Sequence, residues 1–447
     1  MTETTLEPIV QETAPRTMRA FMIIWLGQLV SMLGSGLSRF ALGVWIFNET
    51  GQATPFAITI LLGNLPGLLL MPFAGSLADR WNRRRIMILA DTGSAVLTAL
   101  IAVFVFQNNL QLWHIYIIVA IGSILGAFQE PAYSASIVML VPKEKLGNAN
   151  GMIQMGQALT SILTPLLAGA LFVSIGFSGI ILIDFVTFFF AIGALLFISI
   201  PQPKQVEAGS HKEVSLWQDT AFGWMYLRQR AGLFGLLLYY AMINFLLNWG
   251  AVLMTPMVLT RFSASTLGIL QTIFGVGMLG GSILMSSWGG TKRRIPAVII
   301  FIGLALIGYI LMGVRPNPVL MGIGSFVLMF FIPLASGNSQ VVFQSKVAPD
   351  VQGRVFSIRS MVAQSMMPLA YITAGPLADH LFNPLMNEGG ALAQTFIGTV
   401  LGVGPGRGIG LMFVIAGLVA LVVTALVYAN PRIRNVEDEL PDVVTHG

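Results

Sequence analysis

The chain has 447 residues, of which 55% are apolar and only 10% charged, whereas a soluble globular domain carries roughly 25% charged residues. So lean a charge complement excludes water as the main solvent, and the absence of cysteine excludes disulfides, thiol nucleophiles and thiolate metal sites. The net charge of +5 would suit a nucleic-acid binder only if the basic residues formed a patch; they sit instead in short loops between apolar runs, so no nucleic-acid partner is expected.

Residues 1–19 form a polar tail without the basic start, short apolar stretch and small-residue cleavage site of a signal peptide, so no cleavage is expected. Twelve apolar runs follow, bounded by charged or turn residues: 21–47, 55–78, 86–106, 112–140, 148–173, 179–200, 233–259, 265–287, 295–314, 319–346, 355–381 and 408–429. Each approaches or exceeds the roughly 20 residues needed to cross about 30 Å of hydrocarbon. Their apolar content is continuous rather than alternating, which excludes barrel strands. With the N-terminus inside, only Arg261, Arg315 and Arg407 fall in outside loops and Arg39 lies within the first span, the other twenty of the 24 Lys and Arg being inside. That bias predicts an even number of spans with both termini cytoplasmic.

Residues 201–232 are the longest inside connection and divide the chain into 20–200 and 233–430, six spans each, leaving 431–447 as a cytoplasmic tail. The connection ends by mixing Trp217, Phe222, Trp224, Tyr226 and Leu227 with Arg228 and Arg230, the pattern of an amphipathic helix lying on the inner leaflet. The halves echo each other. GSLADRWNRRRIMIL (75–89) after the second span is answered by SSWGGTKRRIPAVII (286–300) after the eighth, and VPKEKLGNANG (141–151) by VAPDVQGRVFS (347–357). Duplicated bundles with corresponding loops point to a transporter whose site lies between the halves.

Ionisable groups at membrane depth cost about 2.5–3.5 kcal/mol on insertion scales and are functional candidates. Arg39 in the outer third of span one and Asp184 in the outer third of span six share depth and differ in sign, so they are expected to pair. Glu130, in the inner half of span four before Pro131, has no partner at its level and is a candidate proton carrier, against a role in helix packing or interfacial snorkelling. Asp91 is expected to neutralise the arginines near it, and Asp379 to cap or bridge at the end of span eleven. Gly75 permits close helix approach, and Asp79 is placed to face the positive N-terminus of span eleven, with Arg80, Arg83 and Arg84 completing a gating loop. For the arginines, plain positive-inside anchoring is the alternative. Gln28, Ser31, Ser35, Tyr240, Asn244, Asn248 and Asn338 are candidates for hydrogen bonds to a bound molecule, against the commoner role of bonding neighbouring helices. Gly156, Pro165 and Gly169 in span five, with Gly275, Gly277, Gly280 and Gly281 in span eight, suit close packing between helices. The stretch 391–403 is apolar but too short to span, and is expected to be interfacial or re-entrant.

The run GSLADRWNRRR (75–85) resembles the loop between spans two and three of the major facilitator superfamily. RFALGVWIFNETG (39–51), FQEPAYSASIVMLVP (128–142), LIDFVTFF (182–189) and GPGRGIGLMF (404–413) are similar to the drug-exporter branch that includes macrolide efflux proteins and the enterobactin exporter. The resemblance covers nearly the whole chain. It implies an all-α membrane protein of twelve transmembrane helices in two pseudo-symmetric six-helix bundles, with spans one, four, seven and ten lining a central cavity. Two departures stand out: TPLLAG (164–169) replaces the Gly-Pro pair usual in antiporters of the superfamily, and Trp288 stands where the second half's loop would carry its acid.

The function so implied is secondary active export of a small amphipathic compound, antibiotic or siderophore-like, by proton-coupled alternating access in a bacterial cytoplasmic membrane. A lipid or lysolipid flippase on the same fold, and a non-transporting membrane receptor or assembly factor, are the alternatives. Enzymatic activity is not expected, since no nucleophile–base pair, metal-ligand spacing or phosphate-cradling loop is present. The histidines (His114, His211, His380, His446) are scattered, so no metal is expected, and no cofactor either. The expected partners are the substrate, protons and the lipid bilayer, with the chain acting as a monomer.

Overall fold

The computed structural model describes residues 18–71, 81–142, 145–198, 224–347 and 351–440. Ten helical runs among them are long and apolar enough to cross a membrane. One, Leu146–Phe197, is two helices joined at Gly176, whose left-handed φ of 69° breaks the helix in a single residue that a side chain would strain. Another helix, Gln352–Leu377, has spanning length, but its polar residues (Gln352, Arg354, Arg359, Gln364) keep it below the apolar threshold. Splitting the first and adding the second brings ten to twelve.

In chain order these are α1 (Met18–Thr50), α2 (Ala53–Met71), α3 (Arg83–Phe106), α4 (Leu112–Leu140), α5 (146–175), α6 (177–197), α7 (Ala231–Leu259), α8 (Ala264–Trp288), α9 (Arg294–Val314), α10 (Pro318–Lys346), α11 (Gln352–Leu377) and α12 (Arg407–Ala429). The end of the bundle where α1 begins is called proximal, the other distal. Local chemistry sets several boundaries. The Asn82 side chain accepts from the Arg85 N–H at the start of α3, Ser263 from Thr266 at the start of α8, and Asn317 from Val319 and Leu320 ahead of α10, where Pro318 also fits the first turn.

Small residues decide where the halves meet. Gly169 on α5 lies on the backbone of Ala264 and Gly268 on α8, and a Cβ on Gly268 would collide with the Pro165 carbonyl. Gly277 and Gly281 do the same work within the second half, against the backbone of Phe326 and Phe330 on α10, while Gly156 takes up Trp25 and Leu29 of α1. Such surfaces let backbones approach where lipid supplies no hydrophobic driving force between helices.

Two segments outside the spans are docked. The stretch 391–403 is neither a span nor re-entrant: a short helix, Phe396–Leu401, lies over the distal face with Phe396 82% exposed and Leu401 buried. Three arginines tie this region down through backbone carbonyls, Arg315 to Thr399, Arg261 to Val403 and Pro405, and buried Arg407 to Gly313 and Val314. At the proximal end the Glu437 carboxylate accepts from the N–H groups of Arg294 and Ile295, capping α9, while Lys346 Nζ donates to the carbonyls of Glu437 and Leu440. The tail through Leu440 is thus packed on the second bundle. Of the amphipathic stretch before α7, the described part is a helical turn at 224–228, with Leu227 buried and Arg230 stacked 3.5 Å from the Tyr226 ring.

Candidate functional site

A cavity of about 780 Å³ is walled mainly by α1, α2, α3, α4 and α6, with Gln364 and Met367 of α11 closing its second-half side. It reaches from Phe56 in the distal part of α2 to Met71 and Glu130 toward the proximal end. Arg39, Glu130, Asp184 and Ser35 all line it. The three charges picked out as costly in lipid therefore face one hollow rather than hydrocarbon, which is how such groups are tolerated at membrane depth.

Their bonding differs from expectation in one respect. Asp184 is buried and accepts from Ser35 Oγ at 3.2 Å and Thr98 Oγ1 at 3.3 Å. Arg39 is close enough for its charge to act on Asp184, but the two described side chains form no direct ion pair; hydroxyls occupy the carboxylate instead. Glu130 makes no hydrogen bond with any described residue and is exposed to the cavity. Arg39 also lines a second hollow of about 380 Å³ between the halves, bounded by Thr164 and Pro165 of α5 and Gln271 of α8.

Asp91 departs further. Among the described residues it bonds no arginine: Arg83 donates to the Ala135 carbonyl and Arg84 to those of Leu195 and Leu196, which ties α3 to α4 and α6 and favours anchoring for both. Asp91, 2% exposed, is held by the amides of Gln28 at 2.9 Å and Gln129 at 2.5 Å. Gln28 accordingly serves this buried cluster, and Ser31 beside it on α1 is buried as well. Gly75, Asp79 and Arg80 of the expected gating loop lie outside the described residues.

In the second half, Tyr240 and Asn244 line a separate cavity of about 340 Å³ together with Arg359, whose guanidinium bonds Gln340 and Ser339 and sits 4.7 Å from the Phe343 ring centre. Tyr240 donates to the Ala335 carbonyl, and Asn248 accepts from Tyr371 at 3.2 Å. Asn338 is not a cavity residue. It is fully buried, its amide oxygen accepting from Thr291 N and its nitrogen donating to the Leu334 carbonyl, so it braces the turn after α8. Sequence alone cannot separate a polar side chain that faces a hollow from one that clasps a neighbouring turn.

Hydrogen bonds between described residues of the two halves all lie in the distal half of the spans. Thr272 on α8 donates to the Ile162 carbonyl on α5. At the end of α11, Asp379 accepts from the N–H groups of Ala53 and Thr54 at 3.1 and 2.8 Å and from Thr54 Oγ1 at 2.6 Å, thereby capping the N-terminus of α2. Gly375, one turn earlier, lets α11 touch the Thr54 backbone. The distal side is fastened, and the cavity extends from beneath it toward the proximal end.

A family model for the Major Facilitator Superfamily matches residues 24–371. The chain belongs to the Major Facilitator Superfamily. Among curated relatives of this superfamily member, macrolide efflux protein A of Streptococcus pyogenes is 30% identical over 369 residues, covering 81% of this chain and 90% of that protein. The multidrug efflux pump Tap of Mycolicibacterium fortuitum is 23% identical over 80% of this chain and 89% of its own. In fold, the chain is similar to a bacterial homologue of the human lysosomal transporter Spinster in an inward-facing, unoccupied conformation, with a TM-score of 0.69 at 15% identity, covering 94% of this chain and 99% of that one. A bacterial homologue of the iron transporter ferroportin in an inward-facing state gives a TM-score of 0.63 at 16% identity, over 92% and 99% of the two chains. The expected superfamily architecture of two six-helix bundles is therefore the one adopted.

Proposed function

We propose that the chain is a secondary active exporter of small amphipathic compounds, driven by protons and working by alternating access in the bacterial cytoplasmic membrane with both termini inside. In this reading the proximal end faces the cytoplasm, consistent with the excess of Lys and Arg in its loops. Chain halves 20–200 and 233–430 are the moving bodies, joined by 201–232. The observation that carries the proposal is the cavity that holds Arg39, Glu130 and Asp184 beneath a distal side fastened by Asp379. Two efflux proteins among the relatives supply the direction.

Mechanistically, substrate enters the cavity from the cytoplasmic side, where apolar walls accept its body and the charged and hydroxyl groups orient its polar parts. Reorientation requires α11 to release α2. Three hydrogen bonds to a carboxylate are surrendered, each worth about 1.5–3 kcal/mol if left unmade, so the alternative state must offer compensating contacts. A proton taken up on the outside by the first bundle's carboxylates removes negative charge from the cavity and resets it. Glu130, without a hydrogen-bonding partner among the described residues, is the natural exchange point with the cytoplasmic side.

The deciding experiment is flux in proteoliposomes across a compound panel that includes macrolides, with and without an imposed pH gradient. Gradient-stimulated movement of at least one amphipathic compound is expected. Movement of none, or movement indifferent to the gradient, would overturn export or proton drive respectively.

A further inference from the structure

The buried carboxylate Asp91 is not used by the scheme above, yet it is built into a regular arrangement. On α1, Gln28, Ser31 and Ser35 are spaced by three and four residues and share a face; on α3, Asp91, Ser94 and Thr98 have the same spacing. Both helices run from proximal to distal, and hydrogen bonds tie the corresponding ends of the two rows to one carboxylate at each level. Gln28 Nε2 donates to Asp91 Oδ2 at one end, while Ser35 and Thr98 both donate to Asp184 of α6 at the other. Ser31, buried, and Ser94, lining the cavity, occupy the level between. Seven residues of helix separate the ends, roughly 10 Å. Beside the distal carboxylate, the buried Ser38 hydroxyl is near enough to act on Asp184 without completing a hydrogen bond to a described residue.

We infer that Asp91 and Asp184 are paired proton-binding stations at the two ends of this polar seam, and that the coupling proton passes between them along it, with Glu130 linking Asp91 to the proximal cavity. The inference rests on the proton-driven reading above.

The partners of the two carboxylates are what distinguish them from structural acids. Among the described residues Asp91 is hydrogen-bonded only by the amides of Gln28 and Gln129, and Gln129 also donates to Gln28 Oε1 at 3.3 Å. An amide presents N–H to a carboxylate and, turned over, C=O to a carboxylic acid. Serine and threonine hydroxyls around Asp184 have the same freedom. Either protonation state of both acids can therefore be hydrogen-bonded without rebuilding the helices. Asp379 contrasts with them, because the backbone N–H groups of Ala53 and Thr54 can only donate.

The charged surroundings fit. Among the described residues no cation acts on Asp91, and of the arginines that open its own helix Arg83 and Arg84 are spent on backbone carbonyls while Arg85 is exposed. On Asp184 the charge that acts is Arg39 of α1, unbonded to it and open to the cavity. Glu130, adjacent to Gln129 on α4, is the titratable group between Asp91 and the hollow. A proton leaving Asp184 restores its attraction to Arg39, and one arriving at Asp91 relieves a buried anion that has no counter-ion.

The test needs no known substrate. Infrared difference spectra of the purified full chain in liposomes, titrated through neutral pH, report the carbonyl stretch of protonated carboxylic acids. Wild type should show this band, Asp91→Asn should lose one component, Asp184→Asn another, and the double variant both; Asp91→Glu should restore a shifted component. A band unchanged in Asp91→Asn overturns the assignment, as does loss of the entire band in Glu130→Gln alone. Asparagine is isosteric, and an unchanged melting temperature confirms that the variants are folded. In proteoliposomes assayed across the compound panel with an imposed pH gradient, Asp91→Asn should lower at least tenfold the gradient-driven accumulation of each compound that wild type accumulates. Wild type without gradient-driven accumulation overturns the proton-driven reading and this inference together. Wild-type accumulation retained in full by Asp91→Asn overturns only the inference.

Discussion

The two bundles share a plan but differ in what they bury. Between Gly232 and Pro349 the chain contains no aspartate or glutamate, whereas the first half places Asp91, Glu130 and Asp184 within its spans. In the second half the interior polar groups are neutral and mostly committed: Tyr239 to Thr424, Tyr309 to the Leu246 carbonyl, Asn338 to the turn after α8. Two buried cations, Arg407 and Lys346, are spent on carbonyls, and Arg359 lines a small cavity. On the proposed function, the difference assigns the ionic chemistry to the first bundle and leaves the second as the body against which it moves. Asp379 is where they meet, an acid on the second bundle satisfied by the backbone of the first.

The comparison is broken most severely at that junction. Asp379→Ala should shift the balance between distal-closed and distal-open states by about 3 kcal/mol, on the order of a hundredfold. Because the chain has no native cysteine, thiol labelling of a single cysteine placed at distal Gln52 reads this directly, and an unchanged labelling rate would refute the latch. Placing an acid in the neutral bundle comes next. Asn248→Asp should cost about 2–3 kcal/mol at neutral pH and recover as the pH falls and the new carboxyl is neutralised. Urea or thermal unfolding at two pH values checks it, and pH-independent stability would mean that the second bundle tolerates charge as the first does.

Asn338→Ala strips the partner from the buried Thr291 N–H and should lower stability by about 1–2 kcal/mol while leaving ligand affinity unaltered, a pairing that thermal melts with and without ligand can verify. Asp91→Asn should have the smallest stability effect, within about 1 kcal/mol of zero and of either sign, because a neutral isostere replaces a buried charge between two amides. A large destabilisation there would recast Asp91 as structural.

Much of this was legible in the amino-acid sequence, and the exceptions are instructive. Arg39, Glu130 and Asp184 stand out because a charge inside an apolar run has few places to go, and all three do face one cavity. The span ending at Leu377 was legible as the apolar run 355–381, although Arg359 and Gln364 make it more polar than the other spans. The partners of Asp91 were hidden: Gln28 on α1 and Gln129 on α4 lie 63 and 38 residues away, and only the packing of three helices brings them together. Asn338 misled for a related reason, since its oxygen is taken by a turn 47 residues earlier. The distal arginines were visible as exceptions to the charge bias, yet their purpose, clasping carbonyls of the loop before α12, depends on loop geometry that composition does not encode.

Alternating movement of two bodies about one cavity is the claim on which the rest depends, and paired distances test it most directly. Spin labels can be introduced into the cysteine-free chain at Gln107 and Glu388 on the distal face, and at Arg85 and Lys292 on the proximal face, with and without Asp379→Ala. The account predicts that the distal distance lengthens as the proximal one shortens when Asp379 is removed. Two distances that stay fixed in a folded variant, or that change in the same direction, would contradict it.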